Sequence, residues 1–328
     1  MIIRRRASIP IGIAATIGGA CYQPSYDDPT CGDHSECPSG WECTAGPGSA
    51  CVRVGDAGSA DADPIDAAPS PCDLDAPFQD LHKVPGINSA AEDFGPTLSA
   101  DERTIYFVRY SPADPTGLSS LDLYVATRPS RDEPFGAAVP LDALNTIYED
   151  SDPSLSPDEL SLYFASNRDG APDIFVARRA HRDDAFGPAE SVGSVVNSAD
   201  GIEIEPYAVD DALYFMRDNH LFRTEGSQSA RPVSGLSADQ FWSITPSRDE
   251  LTMFLGSPRN GISDIWVARR TGRDQAFEAP QYVGELSTND GEFPDWISPD
   301  GCRLYFGVST GDHTADIWVA TRPLAGLR

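Results

Sequence analysis

Hydrophobic residues in this chain are gathered into runs of four to six, rich in Ile, Val, Phe, Tyr and Trp and bounded by Gly, Pro, Asp and Asn. That pattern predicts short β-strands rather than helices. One set of runs reads LDLYVATR (Leu121 to Arg128), DIFVARR (Asp173 to Arg179), HLFR (His220 to Arg223), DIWVARR (Asp264 to Arg270) and DIWVATR (Asp316 to Arg322). A second set precedes it: SADERTIYFVRY (Ser99 to Tyr110), SPDELSLYFASNR (Ser156 to Arg168), VDDALYFMRDN (Val209 to Asn219), SRDELTMFLGSPR (Ser247 to Arg259) and SPDGCRLYFGVS (Ser298 to Ser309). The YF and DIWV runs do not alternate with polar residues, so both faces of each strand are expected to be covered.

The matched aromatics Tyr106, Tyr163, Tyr214, Phe254 and Tyr305 stand 57, 51, 40 and 51 residues apart. A self-similar period of this size predicts a repeat architecture. Ser-Pro-Asp-Glu at the head of the second set suits a tight turn, because Pro presets φ and Asp bonds its local backbone. Each copy also has a run opening on Phe78, Phe135, Phe186 or Phe277, replaced in the weak fourth copy by Arg231-Pro232-Val233. From Phe78 to Arg328 there are 251 residues, roughly 50 for each of five copies and enough for four strands apiece. Four-stranded sheets repeated around an axis make a β-propeller. The expected fold is therefore all-β, a five-bladed β-propeller with four-stranded blades; six blades is the alternative if residues 200 to 245 hold a degenerate pair. Nothing but Pro323 to Arg328 follows the last DIWVATR, leaving the final blade one outer strand short. The stretch Phe78 to Val84 can supply that strand and so remove the exposed sheet edges.

SPDELSLYFASNR followed by DIFVA resembles the SPDG-x-x-hydrophobic-x-F signature of the WD40-like PD40 repeats found in TolB-like periplasmic β-propellers. The resemblance covers residues 75–328 and implies a propeller in the cell envelope; TolB itself has six blades, where five copies are visible in this chain.

Upstream of the repeats, Met1-Ile2-Ile3-Arg4-Arg5-Arg6 and the apolar run to Ala20 read as a secretory signal, residues 1–20, too short to span a membrane as a stable helix. Gly18-Gly19-Ala20-Cys21 resembles a bacterial lipobox, with Cys21 as the lipidated first mature residue; ordinary secretion with cleavage beside Cys21 is the other reading. Residues 21–53 form a Cys-rich module: Cys31, Cys37, Cys43 and Cys51 lie in a segment whose one large apolar residue is Trp41. Such a segment cannot bury a core and is expected to be held by two disulfides, with three pairings open. Zinc is the weaker reading, since Cys-x-x-Cys spacing is missing and His34 is the one histidine there. Cys72 and Cys302 are either a disulfide locking the ring or two buried thiols. Residues 54–74 are dominated by Asp, Ala, Gly, Ser and Pro, the composition of a linker.

Formal charge is −27, and loss of Arg4 to Arg6 makes it −30. A chain this acidic repels phosphate backbones, so nucleic acid and anionic lipid surfaces are not expected partners, and the membrane is reached through the lipid anchor alone. Of 24 cationic residues only Lys83 is a lysine. Arginines recur at Arg128, Arg178, Arg269 and Arg322, where pairing with Asp or a backbone carbonyl of the blade is the expected role.

Six residues before each Ser of the turn stand Asp93, Asp150 and Glu292, with Glu203 at the shifted equivalent and Phe241 in the weakest copy. Residues at one repeat position gather around a propeller axis, so these carboxylates, with adjacent Glu92 and Glu149, are candidates for a shared hard-cation site, Ca²⁺ first. The plainer reading is that each carboxylate caps the loop backbone of its own blade. There is no Gly-x-Ser-x-Gly elbow, no His-Glu-x-x-His and no phosphate loop, and the five histidines fall at unrelated repeat positions. Paired carboxylates could hydrolyse glycosides, but a catalytic pair should break the repeat's symmetry, and these acids obey it. The expected function is a non-catalytic, monomeric, exported scaffold at the outer membrane, periplasm or cell surface that binds an envelope protein, peptide or glycan. A carbohydrate-active enzyme is the alternative.

Overall fold

The computed structural model describes residues 41–43, 51–53, 72–111, 120–236, 241–258, 262–310 and 314–326. The chain divides into two units, Met1–Asp66 and Ala67–Arg328. In the first, β1 (Trp41–Cys43) pairs antiparallel with β2 (Cys51–Arg53), which sets Cys43 opposite Cys51. The expected signal at residues 1–20, Cys21, Cys31, Cys37 and almost all of the linker lie outside the described residues.

The second unit opens with β3 (Gln79–Lys83) and continues as five repeats. Blade 1 is β4 (Asp93–Leu98), β5 (Thr104–Ser111), β6 (Ser120–Thr127) and β7 (Val139–Pro140). Blade 2 is β8 (Asp150–Leu155), β9 (Ser161–Ser166), β10 (Asp173–Arg178) and β11 (Glu190–Ser191). Blade 3 is β12 (Glu203–Val209), β13 (Ala212–Arg217), β14 (His220–Glu225) and β15 (Arg231–Pro232). Blade 4 is β16 (Ser243–Pro246), β17 (Thr252–Ser257), β18 (Asp264–Arg269) and β19 (Gln281–Tyr282). Blade 5 is β20 (Gly291–Ile297), β21 (Arg303–Thr310) and β22 (Thr314–Thr321), completed by β3 as the fourth strand. Among the described residues the one helical turn is the 3₁₀ segment Gly284–Leu286. The six-blade alternative is not realised: residues 200 to 245 hold blade 3 and the entry to blade 4, and the short 40-residue interval reflects tight hairpins in blade 3.

Blades 1, 2, 4 and 5 turn from the first to the second strand on a Ser-x-Asp motif, and blade 3 does so on the tight Val209–Ala212 hairpin. In blade 1 the Ser99 hydroxyl donates to Asp101 (2.7 Å) and accepts the Thr104 N–H (2.9 Å), and blades 2, 4 and 5 repeat this from Ser156, Ser247 and Ser298. The fourth turn residue is left-handed throughout, with φ of +58° at Glu102, +63° at Glu159, +62° at Glu250 and +72° at Gly301. Glycine takes that conformation without strain, whereas the glutamates are held there by buried contacts.

In the same four blades the arginine at the end of the third strand binds this turn. Arg128, Arg179 and Arg270 donate Nε–H to the carbonyls of Glu102 (2.7 Å), Glu159 (2.8 Å) and Glu250 (2.7 Å), and Arg322 reaches Gly301 (3.3 Å). The same guanidiniums lie 4.2–4.5 Å from the ring centres of Phe135, Phe186, Phe277 and Phe78. The expected carbonyl pairing is present, but the repeated residues in blades 2 and 4 are Arg179 and Arg270; Arg178 and Arg269 point outward, one position earlier. A one-residue slip along a strand exchanges its two faces.

Five apolar clusters fill the five seams between blades, which explains why the strands carry hydrophobic residues on both sides. Closure is by the borrowed strand: Lys83 stands opposite Trp318 and His82 opposite Val319. Lys83 pairs with Asp316 at 2.5 Å, and a disulfide joins Cys72 to Cys302.

Candidate functional site

The innermost strands do not run straight. β4, β8 and β12 are bulged between Phe94 and Thr97, Ser151 and Ser154, and Ile204 and Tyr207; β20 is bulged between Pro294 and Trp296. Proline cannot donate to a ladder and marks such breaks, and here Pro96, Pro153, Pro206 and Pro294 sit in the bulges. In the first three blades the residue before that proline is left-handed: Gly95 (φ +61°), Asp152 (+52°) and Glu205 (+53°). Each bulge re-aims one residue toward the middle of the ring.

That middle is a cavity of about 280 Å³. Asp152, Glu205 and Asp295 line it together with Phe94, Tyr207, Trp242, Ser243 and Phe293. Trp242, half exposed, stacks on Phe293 with ring centres 6.1 Å apart and planes 19° from parallel. Exposed Ile147, Tyr148 and Ile202 lie in the loops that enter β8 and β12, the strand ends at which Glu92 lines the cavity. Acid at the centre and apolar residues on the entry loops are thus carried by one set of loops and strands.

The three central carboxylates are partly buried and have few donors. Asp295 accepts the Gly307 N–H at 2.7 Å; Asp152 accepts the Ser151 hydroxyl at 3.1 Å and the Glu205 N–H at 3.4 Å. No hydrogen bond reaches the Glu205 carboxylate among the described residues. Burial therefore pushes all three above the ordinary carboxylate range, Glu205 and Asp295 well above it, where neighbouring carboxylates add to the effect. Burial likewise raises the Tyr207 hydroxyl.

No family model and no curated protein matches this sequence. Solved structures do match in shape. TolB from Acinetobacter baumannii is 16% identical with a TM-score of 0.44 over 72% of this chain, and this chain spans 56% of the TolB chain it matches. A GH62 α-L-arabinofuranosidase catalytic domain from Coprinopsis cinerea is 12% identical, TM-score 0.48, covering 78% of this chain and 98% of its own. A gluconolactonase from Xanthomonas campestris is 16% identical, TM-score 0.45, covering 78% and 97%. In fold, this chain is a five-bladed β-propeller. At these identities the likeness is one of fold, and it extends to enzymes and to TolB alike.

The carboxylates expected at the axis sit elsewhere. Asp93, Asp150, Glu203 and Glu292 are fully buried, each within its own blade, and among the described residues no three acidic, His or Cys side chains form a group able to hold a metal. Asp93 accepts the Ser89 N–H (2.7 Å) and the Arg109 guanidinium (2.6 Å); Asp150 accepts the Thr146 N–H (2.6 Å) and Arg168 (2.5 Å); Glu203 accepts the Ser198 hydroxyl (2.7 Å) and Arg217 (2.6 Å). Glu292 accepts the Thr288 N–H (2.8 Å) and hydroxyl. Glu149 bonds Asn167 at the surface, and Glu92 alone of the six lines the cavity. The acids that do face the cavity lie two or three positions further along the same strands. An Asp-Pro, Glu-Pro or Pro-Asp pair inside the innermost strand was the available signal.

Chemically, a cavity of this kind can do two things. Clustered carboxylates and stacked aromatic rings take up a cationic or polyhydroxyl group. Carboxyls with raised proton affinity beside an ionised neighbour also form the acid and base of a hydrolytic pair.

Proposed function

We propose that this protein is an exported binding propeller, anchored at the outer membrane or cell surface through lipidated Cys21, which takes a protein, peptide or glycan ligand at its axial cavity. One observation carries the reading: Asp152, Glu205 and Asp295 converge on a cavity walled by Trp242 and Phe293, at the end of the ring whose entry loops expose Ile147, Tyr148 and Ile202. The Cys72–Cys302 disulfide supports an oxidising compartment and hence export. The test is titration of the full mature chain with a panel of basic peptides and neutral oligosaccharides, followed by Trp fluorescence. At least one class should bind, and Trp242→Ala and Glu205→Gln should each weaken it about tenfold or more. If neither class binds, or binding survives both changes, the cavity is not the site.

A second reading, a carbohydrate-active enzyme, is favoured by one observation of its own. Unlike the repeat acids, the central carboxylates break the symmetry of the ring, with Gly95 and Ser243 in the corresponding stretches of blades 1 and 4. Glycan turnover abolished by Asp295→Asn would establish it, and no turnover on a broad panel would remove it.

A further inference from the structure

The axial cavity is layered, and its layers follow position along the innermost strands. Counted from Asp93, Asp150, Glu203, Phe241 and Glu292, the next residue is an aromatic ring in blades 1, 4 and 5: Phe94, Trp242 and Phe293. Two positions on are Asp152, Glu205 and, in their place in blade 4, Ser243; three on is Asp295. All line the cavity. Ser243 is 1% exposed, and its hydroxyl has no hydrogen-bond partner. A buried hydroxyl left unpaired carries its desolvation cost unmet, so an entering donor finds an unused oxygen beside the carboxylates.

The fourth position closes the cavity from beneath. In blades 1 and 2 its side chain bonds the backbone of the following blade: Thr97 Oγ1 accepts the Leu155 N–H (3.1 Å) and Ser154 Oγ accepts the Ala208 N–H (2.9 Å). Blade 3 has Tyr207 there, but the matching residue of blade 4 is Pro246, which has no N–H to give. Tyr207 instead reaches past blade 4, and its hydroxyl accepts the Ile297 N–H of blade 5. Thr245, which the pattern would pair with Ile297, is left with an unpartnered hydroxyl. Tyr207 packs against both the blade 3–blade 4 cluster and the blade 5–blade 1 cluster, so its ring spans the axis. A ligand therefore enters end-on and does not thread the ring.

Depth and charge narrow what enters. A strand rises about 3.3 Å per residue, which puts the carboxylates roughly 7–10 Å below the first residue of the innermost strands. A long side chain reaches that depth. Glu92, Asp152, Glu205, Asp295 and Tyr207 are the titratable groups lining the cavity, with no cation among them. The chain's formal charge of −27 draws cations toward it. Among the described residues the carboxylates do not gather closely enough to hold a metal ion, whereas a larger organic cation also gains from the half-exposed Trp242 ring.

Resting on the reading of this cavity as the binding site, we infer that its occupant is a lysine or arginine side chain of a partner polypeptide. It enters end-on, with its charge among Asp152, Glu205 and Asp295, its stem against Trp242 and Phe293, and one N–H donated to Ser243.

The experiment titrates the full mature chain with Gly-Gly-Arg-Gly-Gly, its lysine counterpart, the neutral citrulline and acetyl-lysine forms, and neutral oligosaccharides, read by calorimetry. A charged peptide should bind about tenfold or more tighter than its neutral form and weaken as salt rises. Its heat should differ between buffers of different ionisation enthalpy, because a bound cation favours the ionised central acids and releases protons. Ser243→Ala should weaken the charged peptide several-fold while melting no lower than wild type. Equal binding of the neutral forms, undiminished binding to Ser243→Ala, or oligosaccharide binding in place of basic peptides would overturn the cationic assignment and leave the cavity as the site. Binding of none of these ligands would remove both.

Discussion

Replacing Glu205 by Gln should stabilise the propeller at pH 8 and leave it unchanged near pH 4. Glu205 sits at φ +53° in the β12 bulge, its carboxylate without a hydrogen bond among the described residues and facing Asp152 and Asp295. Burial is the first cause of its raised pKa, and the two neighbouring carboxylates are the next. A folded-state pKa above the unfolded value means that the folded protein binds more protons throughout the interval between them. Stability is therefore full below the unfolded carboxylate value and falls as pH rises through the interval. The steepest slope is about 1.4 kcal/mol per pH unit for one group, the free energy of one pKa unit. Asp152 and Asp295 are displaced in the same direction, so the wild-type slope can reach roughly three times that where all three titrate together. Gln keeps the shape and the left-handed backbone while removing one titration and easing the other two. Urea unfolding at half-unit steps from pH 4.5 to 8.5 reads the difference directly. Glu250 and Asp300, both held below their ordinary values, lose their contribution only at the acid end, as pH falls through their folded values, so they do not mask the effect. Parallel wild-type and variant curves, or a variant less stable at pH 8, would show that Glu205 ionises without penalty and that the cavity is not the desolvated acidic site described above.

Two other substitutions test how the ring is held. The double change Cys72→Ser, Cys302→Ser opens a loop of 230 residues and should lower unfolding free energy by about 4–5 kcal/mol, with the wild type in reductant matching the variant; equal stability of oxidised and reduced wild type would deny the bond this role. Glu102→Gln removes a charge buried between Arg303 (2.5 Å), Arg128 and the Tyr305 hydroxyl (2.8 Å) across the closing seam, so it should cost about 3–5 kcal/mol. Glu159→Gln, whose carboxylate accepts the Ala100 N–H, should cost about 1 kcal/mol or less; similar losses in both would mean that the Glu102 network carries no special weight.

What the chain discloses about itself divides along the period of the repeat. Blade number, four strands per blade and closure by residues near Phe78 were legible because each depends on residues that recur: the Ser-x-Asp turn, the YF and DIWV runs, and a last copy visibly lacking its outer strand. The arginines were legible as a role but slipped by one residue in blades 2 and 4, because Ala-Arg-Arg offers two candidates and only the face decides between Arg178 and Arg179. The site was missed for the opposite reason. Repetition drew attention to Asp93, Asp150, Glu203 and Glu292, yet a position kept by four blades is one that every blade needs, and three of these acids are neutralised by their own blade's arginine. Function in a ring of copies has to lie where copies differ. Asp152 and Glu205 stand where blade 1 has Gly95, and Asp295 follows its proline where the others precede it. Aligning the blades and subtracting what they share points to the axial cavity. The bulges themselves could not be counted from hydrophobic pattern, since an inserted residue shifts side chains between faces without altering the composition of the strand.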